Sequence, residues 1–409
     1  MSDTGKLRIS LTSERTARPV EAARIEISTA GIPDQIIDIL STDSSGRSPE
    51  IDLETPPLEY SLEPESRQPY SEYDLQITAE GYESVTISGA QLLPGETAVQ
   101  ELALKPERAE EEYSVLAIPP HTLYGDYPPK IAESEIKDIL SSGEIVLSRV
   151  VVPEYVVVHD GPPADNTAAD YYILYKDYIK NVTACEIYST WPEAAIRANI
   201  LAVMSFTLNR VYTEWYRSKG YDFTITSSTA YDQKWIRGKN TYSSINRIVD
   251  EIFDSYLSRP EITQPILSQF CDGERAVCPG AMSQWGSKRL ADEGLTAVQI
   301  LKYYYGDDIF INTAELISGV PSSFPGDLLT IGSSGSKVRQ LQQQLNVIAG
   351  AYPLIPVISV DGIYGRETAR AVREFQKIFD LPVTGDTGFS TWYKISQIYV
   401  AVSRIAELR

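Results

Sequence analysis

The chain has 409 residues, of which 43% are hydrophobic, and a formal net charge of −20. This length predicts several domains that each bury a core, and no apolar run reaches the ~18 residues that a membrane-spanning helix needs. The net charge is −16 for residues 1–149, −6 for 150–320 and +2 for 321–409. Since acidic surfaces repel polyanions, we expect no nucleic acid and no membrane as a partner.

Residues 1–106 are predicted to form a small β-sandwich. Apolar and polar residues alternate there, as in Leu7, Ile9 and Leu11, and turn-forming clusters such as residues 42–46 separate the alternating stretches. Segments at 5–9, 42–47 and 73–82 resemble carboxypeptidase-regulatory or transthyretin-like domains. The resemblance implies a region without chemistry of its own.

Residues 107–149 have the composition of an exposed connector. An acidic run fills 107–112, and proline pairs stand at 119–120 and 128–129. Two interpretations remain open. The segment is either a plain linker or an activation segment that a protease cuts, because exposed segments between domains are where proteases act.

The central residues 150–320 contain the strongest candidate for catalysis, Glu186. The run 150–161 is typical of a buried strand. Thr190 and Glu193 have the spacing of a capping box before an apolar-periodic helix at 194–210. We therefore expect Glu186 in the loop before that helix, free to point into a cleft. The alternative is a capping or ion-pairing role.

Two segments carry a family resemblance. Residues 186–193, Glu-Ile-Tyr-Ser-Thr-Trp-Pro-Glu, and residues 280–286, Gly-Ala-Met-Ser-Gln-Trp-Gly, resemble the two signatures of the stage II sporulation protein D family of peptidoglycan lytic transglycosylases. The resemblance implies a mixed α/β catalytic domain with Glu186 as the catalytic residue. It also implies a set of substrate-binding residues, namely Ser283, Gln284, Trp285, Tyr221 and Tyr231. For Trp285, simple core packing remains an equal alternative.

The family resemblance does not extend to a metal site. Some relatives bind zinc through a His and two Cys, but residues 227–235 here contain neither. We therefore expect no metal and no cofactor. Met204 also stands where relatives often have an Arg, so a cation at that position is in doubt. Cys185 lacks a neighbouring base and is expected to be a buried small residue, whereas Cys271 and Cys278 could close a small loop.

Residues 327–409 resemble the three-helix peptidoglycan-binding domain type 1. Val338, Leu341 and Leu345 recur at helical spacing and predict one core stripe. A second predicted stripe consists of Val372, Phe375 and Phe379. We expect the glycan to be contacted by exposed side chains at Asp361, Tyr364 and Arg366.

The full arrangement resembles spore cortex-lytic enzymes of the SleC type. The resemblance implies a zymogen made in the mother cell, located in the cortex and coat region of the spore, with cortex peptidoglycan and an activating protease as partners. It also accounts for the absence of a signal-peptide pattern at the first residues. The predicted fold is multidomain α+β, with an N-terminal β-sandwich, a central mixed α/β sporulation-D-like catalytic domain and a C-terminal three-helix peptidoglycan-binding domain.

A single carboxylic acid favours a particular reaction. A typical glycoside hydrolase needs two carboxyl groups, whereas a lytic transglycosylase can use one, because the C6 hydroxyl of the sugar is the nucleophile. Glu186, with a pKa raised by an apolar cleft, would act as acid and then as base. A muramidase and a non-catalytic peptidoglycan-binding spore protein are the alternatives.

Overall fold

The computed structural model describes residues 3–64, 67–107, 113–120, 147–276 and 279–403. The fold is mixed α+β with a helical C-terminal region, as the sequence predicts. One hydrophobic cluster runs through all three regions of the described chain. Within the described residues, no helix combines the length and the apolar composition that crossing a membrane requires.

The N-terminal region is built from two sheets. Alternate residues are buried, for example Leu7, Ile9 and Leu11 in one sheet and Ile25 and Ile27 in the other, which is the strand pattern expected from the sequence. The elements are β1 (Asp3–Ser13), β2 (Arg24–Thr29), β3 (Ile36–Ser41), β4 (Ile51–Thr55), α1 (Glu59–Leu62), β5 (Ser71–Thr78), β6 (Val85–Leu92), β7 (Thr97–Leu104) and β8 (Ser114–Ala117).

The strand order shows that these sheets extend beyond residue 106. The second sheet has the order β3-β2-β5-β6-β8, so β8, which lies inside the predicted connector, pairs in parallel with β6. The remaining parts of the predicted connector, 108–112 and 121–146, lie outside the described residues. Residues 114–117 of the predicted connector thus belong to the second sheet.

The central region surrounds a long buried helix. Its elements are β9 (Val151–Val152), β10 (Tyr155–His159), β11 (Asp170–Leu174), α2 (Tyr175–Glu186), α3 (Glu193–Tyr212), β12 (Ile225–Thr226), β13 (Thr241–Tyr242), α4 (Ser243–Ile252), β14 (Ser255–Ser258), β15 (Phe270–Cys271), β16 (Met282–Ser283), α5 (Gln284–Asp292), α6 (Ala297–Tyr305), β17 (Phe310–Thr313) and β18 (Leu316–Ile317). Most of α3 is buried. Strand β13 joins the first N-terminal sheet, which has the order β13-β7-β1-β4.

The start of α3 differs from the predicted capping box. Pro192 is the N-cap residue, and no side chain caps the helix. The Thr190 hydroxyl instead donates to Ser61 Oγ at 2.8 Å, and Glu193 accepts from Arg197 and Arg247. The capping-box prediction was therefore wrong, because partners from other parts of the chain occupy both side chains.

The C-terminal region contains α7 (Ser336–Ala349), α8 (Arg366–Ile378) and α9 (Phe389–Ser403). Five of the six residues in the predicted stripes are at most 1% exposed, namely Val338, Leu341, Leu345, Val372 and Phe375. The sixth, Phe379, is half-buried and packs on Phe375 with ring centroids 4.5 Å apart. This region also contacts the other two. Arg8 of β1 forms an ion pair with Asp380, and Phe253 packs on Phe389 with ring centroids 5.2 Å apart.

We expect Phe375→Ala to lower the free energy of unfolding of the C-terminal helices by ~3–5 kcal/mol, because truncating a fully buried aromatic side chain leaves a cavity. Hydrogen exchange of the α8 amides in the full chain would measure the loss. Val357, which is 75% exposed, provides the control: Val357→Ala should change the exchange rates little. Equal effects of the two substitutions would contradict the assigned core.

Candidate functional site

Glu186 is the last residue of α2 and is only 2% exposed. It lies outside α3, as expected, but it ends a helix and does not sit in an open loop. The helix stops at Ile187, the C-cap residue, whose backbone is extended. The end of one helix therefore places the carboxyl group inside the protein.

Two hydrogen bonds hold the Glu186 carboxylate. The Lys234 N–H donates to Oε1 at 2.7 Å, and Gln284 Nε2 donates to Oε2 at 3.0 Å. Buried carboxylates need such donors, because transfer from water without them is costly. Gln284, which the sequence suggested as a substrate-binding residue, is fully buried and contacts Glu186. Lys234 was not predicted, because it contributes a backbone group that any residue type would supply.

The second sequence signature forms the start of α5. Ser283 is the N-cap residue, and its hydroxyl accepts from the Gly286 N–H at 2.8 Å. A Cβ atom on Gly273 would lie 1.8 Å from Ser283 Oγ, so this position needs a glycine. Ser283 is half-buried. Its cap orders the start of α5, and α5 in turn places Gln284 against Glu186.

Trp285 lies in an aromatic cluster in the interior. It is 1% exposed, and its ring centroid lies 4.8 Å from that of Trp191 and 6.1 Å from that of Tyr188. No face of the ring is open to a sugar in this arrangement. The contacts favour the packing role that the sequence left as an alternative.

The two tyrosines expected to bind substrate lie in different places. Tyr221 is half-buried and packs on Tyr216 and Phe223, with ring centroids 6.0 and 5.1 Å away, in a small hydrophobic cluster separate from the main core. Tyr231 is half-buried in the turn that precedes Lys234. Of the two, Tyr231 is thus closer in sequence to the segment that contacts Glu186.

A buried ion pair that sequence reasoning missed orders this turn. Arg210 Nε donates to Oδ1 of Asp232 at 2.7 Å, and both side chains are at most 2% exposed. The other carboxylate oxygen accepts from the Tyr216 hydroxyl at 2.7 Å and from Thr226. Asp232 stands two residues before Lys234, so these bonds fix the backbone that donates to Glu186.

Cys185 is a buried residue next to Glu186. Burial raises the pKa of the Cys185 thiol to about 12, which makes it a poor nucleophile. Among the residues that the structure describes, no group of three or more His, Cys, Asp and Glu side chains is placed to bind a metal. The pairing considered for Cys271 involves Cys278, which lies outside the described residues.

Two of the three predicted glycan-contacting residues of the C-terminal region are exposed, and the third is buried. Asp361 and Arg366 are exposed, and Asp361 accepts from Gln342 Nε2 and the Ile363 N–H, both at 2.8 Å. Tyr364 is fully buried, and its hydroxyl donates to the Gly385 carbonyl at 2.9 Å. The expectation that Tyr364 is an exposed glycan contact was therefore wrong, because its ring completes the core of this region.

A cavity of about 790 Å³ lies where the three regions meet. Lys176, Asp177 and Lys394 are among its lining residues, but Glu186 is not. This cavity is therefore not the space in which a substrate would reach the candidate acid.

Comparisons with known proteins identify the C-terminal region. Residues 334–395 match the model of the family described as "Putative peptidoglycan binding domain". This match confirms the predicted peptidoglycan-binding domain and supports peptidoglycan as a partner, and hence a role connected with the cell wall. No curated protein matches the chain.

Several solved structures are similar to parts of the chain. The SleB N-terminal domain is 32% identical over 19% of this chain and 99% of its own length, with a TM-score of 0.17. Klebsiella pneumoniae 5-hydroxyisourate hydrolase is 14% identical over 25% of this chain and 92% of its own, also with a TM-score of 0.17. Because both TM-scores are below 0.5, neither likeness assigns a fold or an activity to this chain.

We expect Asp232→Ala to lower the free energy of unfolding by ~3–5 kcal/mol, because it leaves the buried Arg210 charge without its partner. Calorimetry of the full chain would measure this change. Asp222 is an exposed carboxylate ten residues away, and Asp222→Ala should have almost no effect. If both variants unfold like the unmodified protein, the ion pair does not order the turn.

Proposed function

We propose that the chain is a spore cortex-lytic enzyme, a peptidoglycan lytic transglycosylase that cleaves between N-acetylmuramic acid and N-acetylglucosamine during germination. The observation that supports it most is the bond from Gln284 to Glu186. These residues belong to two motifs nearly a hundred positions apart, and each motif resembles the same enzyme family. A shared contact at one carboxyl group is what a common catalytic role would require.

In the proposed reaction, Glu186 first acts as a general acid. It protonates the glycosidic oxygen while the bond to the muramic acid C1 breaks. The resulting carboxylate then takes the proton of the C6 hydroxyl as that oxygen bonds to C1, which closes the 1,6-anhydro ring. The Lys234 and Gln284 donors fix the orientation of the carboxyl group through both steps.

The surroundings of Glu186 favour this reaction over hydrolysis. Asp232, two residues before Lys234, is fully buried and accepts bonds from Arg210, Tyr216 and Thr226. It is therefore a poor candidate for the base that a muramidase needs to activate water. Glu186 itself is 2% exposed, so neither water nor a glycan chain reaches it in this arrangement.

The same burial means that the site must open before a glycan chain binds. Storage as a zymogen that a protease activates by cutting within residues 107–149 belongs to the same proposal. Binding of the product and substrate chains to the domain at 334–395 would keep the enzyme on the cortex. Localisation to the cortex and coat region of the spore belongs to the same proposal.

We expect Glu186→Gln to reduce the release of anhydro-muropeptides from purified cortex by at least ~10²-fold, because the amide can neither give nor take the proton. Mass spectrometry of the products of connector-cut full chain would measure it. Glu193→Gln is the matched control, since that carboxyl group is 54% exposed and should be dispensable.

The other outcomes separate the alternatives. Products with reducing muramic acid ends would show a muramidase. Attachment to cortex with no product from the unmodified chain would show a non-catalytic peptidoglycan-binding protein. A Glu186→Gln variant as active as the Glu193→Gln variant would exclude Glu186 as the acid.

A further inference from the structure

The N-terminal sheets contact the central region beside the segment that follows Glu186. Ser61 of α1 is completely buried there. Its carbonyl oxygen accepts from Trp191 Nε1 at 2.9 Å, and its hydroxyl oxygen accepts from Thr190 at 2.8 Å. The segment between Glu186 and α3 is thus bonded directly to the N-terminal region.

This contact leads to Gln284, which donates to Glu186. The Trp191 ring packs on the Trp285 ring with a centroid separation of 4.8 Å, and Trp285 follows Gln284 in the chain. Gln284 donates to Glu186 Oε2. A shift of Trp191 would therefore move the first turn of α5, and with it the amide that orients the carboxyl group.

A second contact joins the N-terminal sheets to the segment that follows Lys234. Asn240 Nδ2 donates to the Gln91 carbonyl at 2.8 Å, and Asn240 Oδ1 accepts from the Gln91 N–H at 2.8 Å. The Tyr242 hydroxyl donates to the same carbonyl at 3.1 Å. Strand β13 also pairs antiparallel with β7, so the central region adds a strand to an N-terminal sheet.

The second contact leads to Lys234, which also donates to Glu186. Asn240 stands six residues after Lys234, whose N–H donates to Oε1. Between them, Asn181 of α2 accepts from the Ile236 N–H at 3.1 Å and donates to the Ile236 carbonyl at 2.8 Å. The segment 234–242 is therefore fixed by α2 at one end and by the N-terminal sheets at the other.

The interface has the burial of a protein interior. Ser61, Gln91, Asn240 and Tyr242 are all at most 2% exposed. Removing the N-terminal region would leave their polar atoms without partners and expose apolar surface, and both effects are costly. A cut in the connector breaks none of these contacts, because β8 and the strands before it lie N-terminal to residues 121–146.

We propose that the N-terminal sheets form a lasting part of the active site, with Asn240 and Trp191 as positioning residues, and that these sheets stay bound after the connector is cut. The catalytic part of this inference rests on the proposed function of Glu186. Under this proposal the sheets support the active site after activation, whereas an inhibitory domain would dissociate on activation. Opening of the site then takes place with the sheets in place.

Cleavage of the full chain at a protease site introduced within residues 121–146 tests the lasting contact. We expect the two fragments to elute together in gel filtration under native conditions and to separate in denaturant. Dissociation of the N-terminal fragment in native buffer, with a remaining fragment as active as the cut complex, would overturn the proposal.

Two substitutions in the full chain test positioning. Asn240→Ala removes both bonds to Gln91, and Trp191→Phe removes the Nε1–H donor but keeps an aromatic ring. We expect each to lower kcat roughly tenfold with little change in KM, as the loss of a positioning bond would. Gln76→Ala, on the exposed side of β5, is the control and should change neither constant.

A readout that needs no substrate separates this inference from the proposed function. The Lys234 amide hydrogen is the one that Glu186 accepts, so its exchange with solvent should be faster in Asn240→Ala than in Gln76→Ala. If exchange is faster but the unmodified chain releases no product, the proposed function fails and the positioning role stands. Equal exchange in the two variants would refute the positioning role.

Discussion

The Glu186 carboxylate, buried and bonded to two donors, is the interaction on which the rest of this structure depends. An unpaired carboxylate in this interior would be costly, so the protein supplies the Lys234 N–H and Gln284 Nε2. Each donor needs its own support. Asp232 fixes the turn before Lys234, and the Ser283 cap fixes the start of α5. The position of the Glu186 carboxylate thus depends on several segments of the central region, including the turn before Lys234 and the start of α5.

Local sequence patterns predicted the parts of the fold that local physics determines. The alternation in β1 and the stripe through Leu341 and Leu345 each place residues in a core through their own spacing. The family resemblance singled out both Glu186 and Gln284, and the structure adds that they are in contact. The capping box failed because Thr190 bonds to Ser61, a residue 129 positions away, and no local pattern contains that information. The sequence likewise did not predict the Lys234 N–H donor or the Arg210–Asp232 ion pair, because their partners are distant in the chain.

Burial also revises the roles of aromatic residues. Trp285 and Tyr364 have the residue type that sugar sites favour, yet both are at most 1% exposed. Aromatic rings stabilise a core as readily as they bind a ligand, so residue type alone could not separate the two uses. The peptidoglycan-binding domain at 334–395 gives the chain its connection to the wall, and the N-terminal sheets stabilise the segments around the acid. In this account, the three regions act as one unit.

The central claim is that the sugar's own hydroxyl, and not water, attacks the bond that Glu186 activates. Digestion of cortex peptidoglycan by the connector-cut chain in water enriched in oxygen-18 tests it most directly. The account predicts muramic acid ends that lack the heavy oxygen and weigh one water less than the hydrolysed form. Incorporation of one oxygen-18 atom at each new muramic acid end would contradict it.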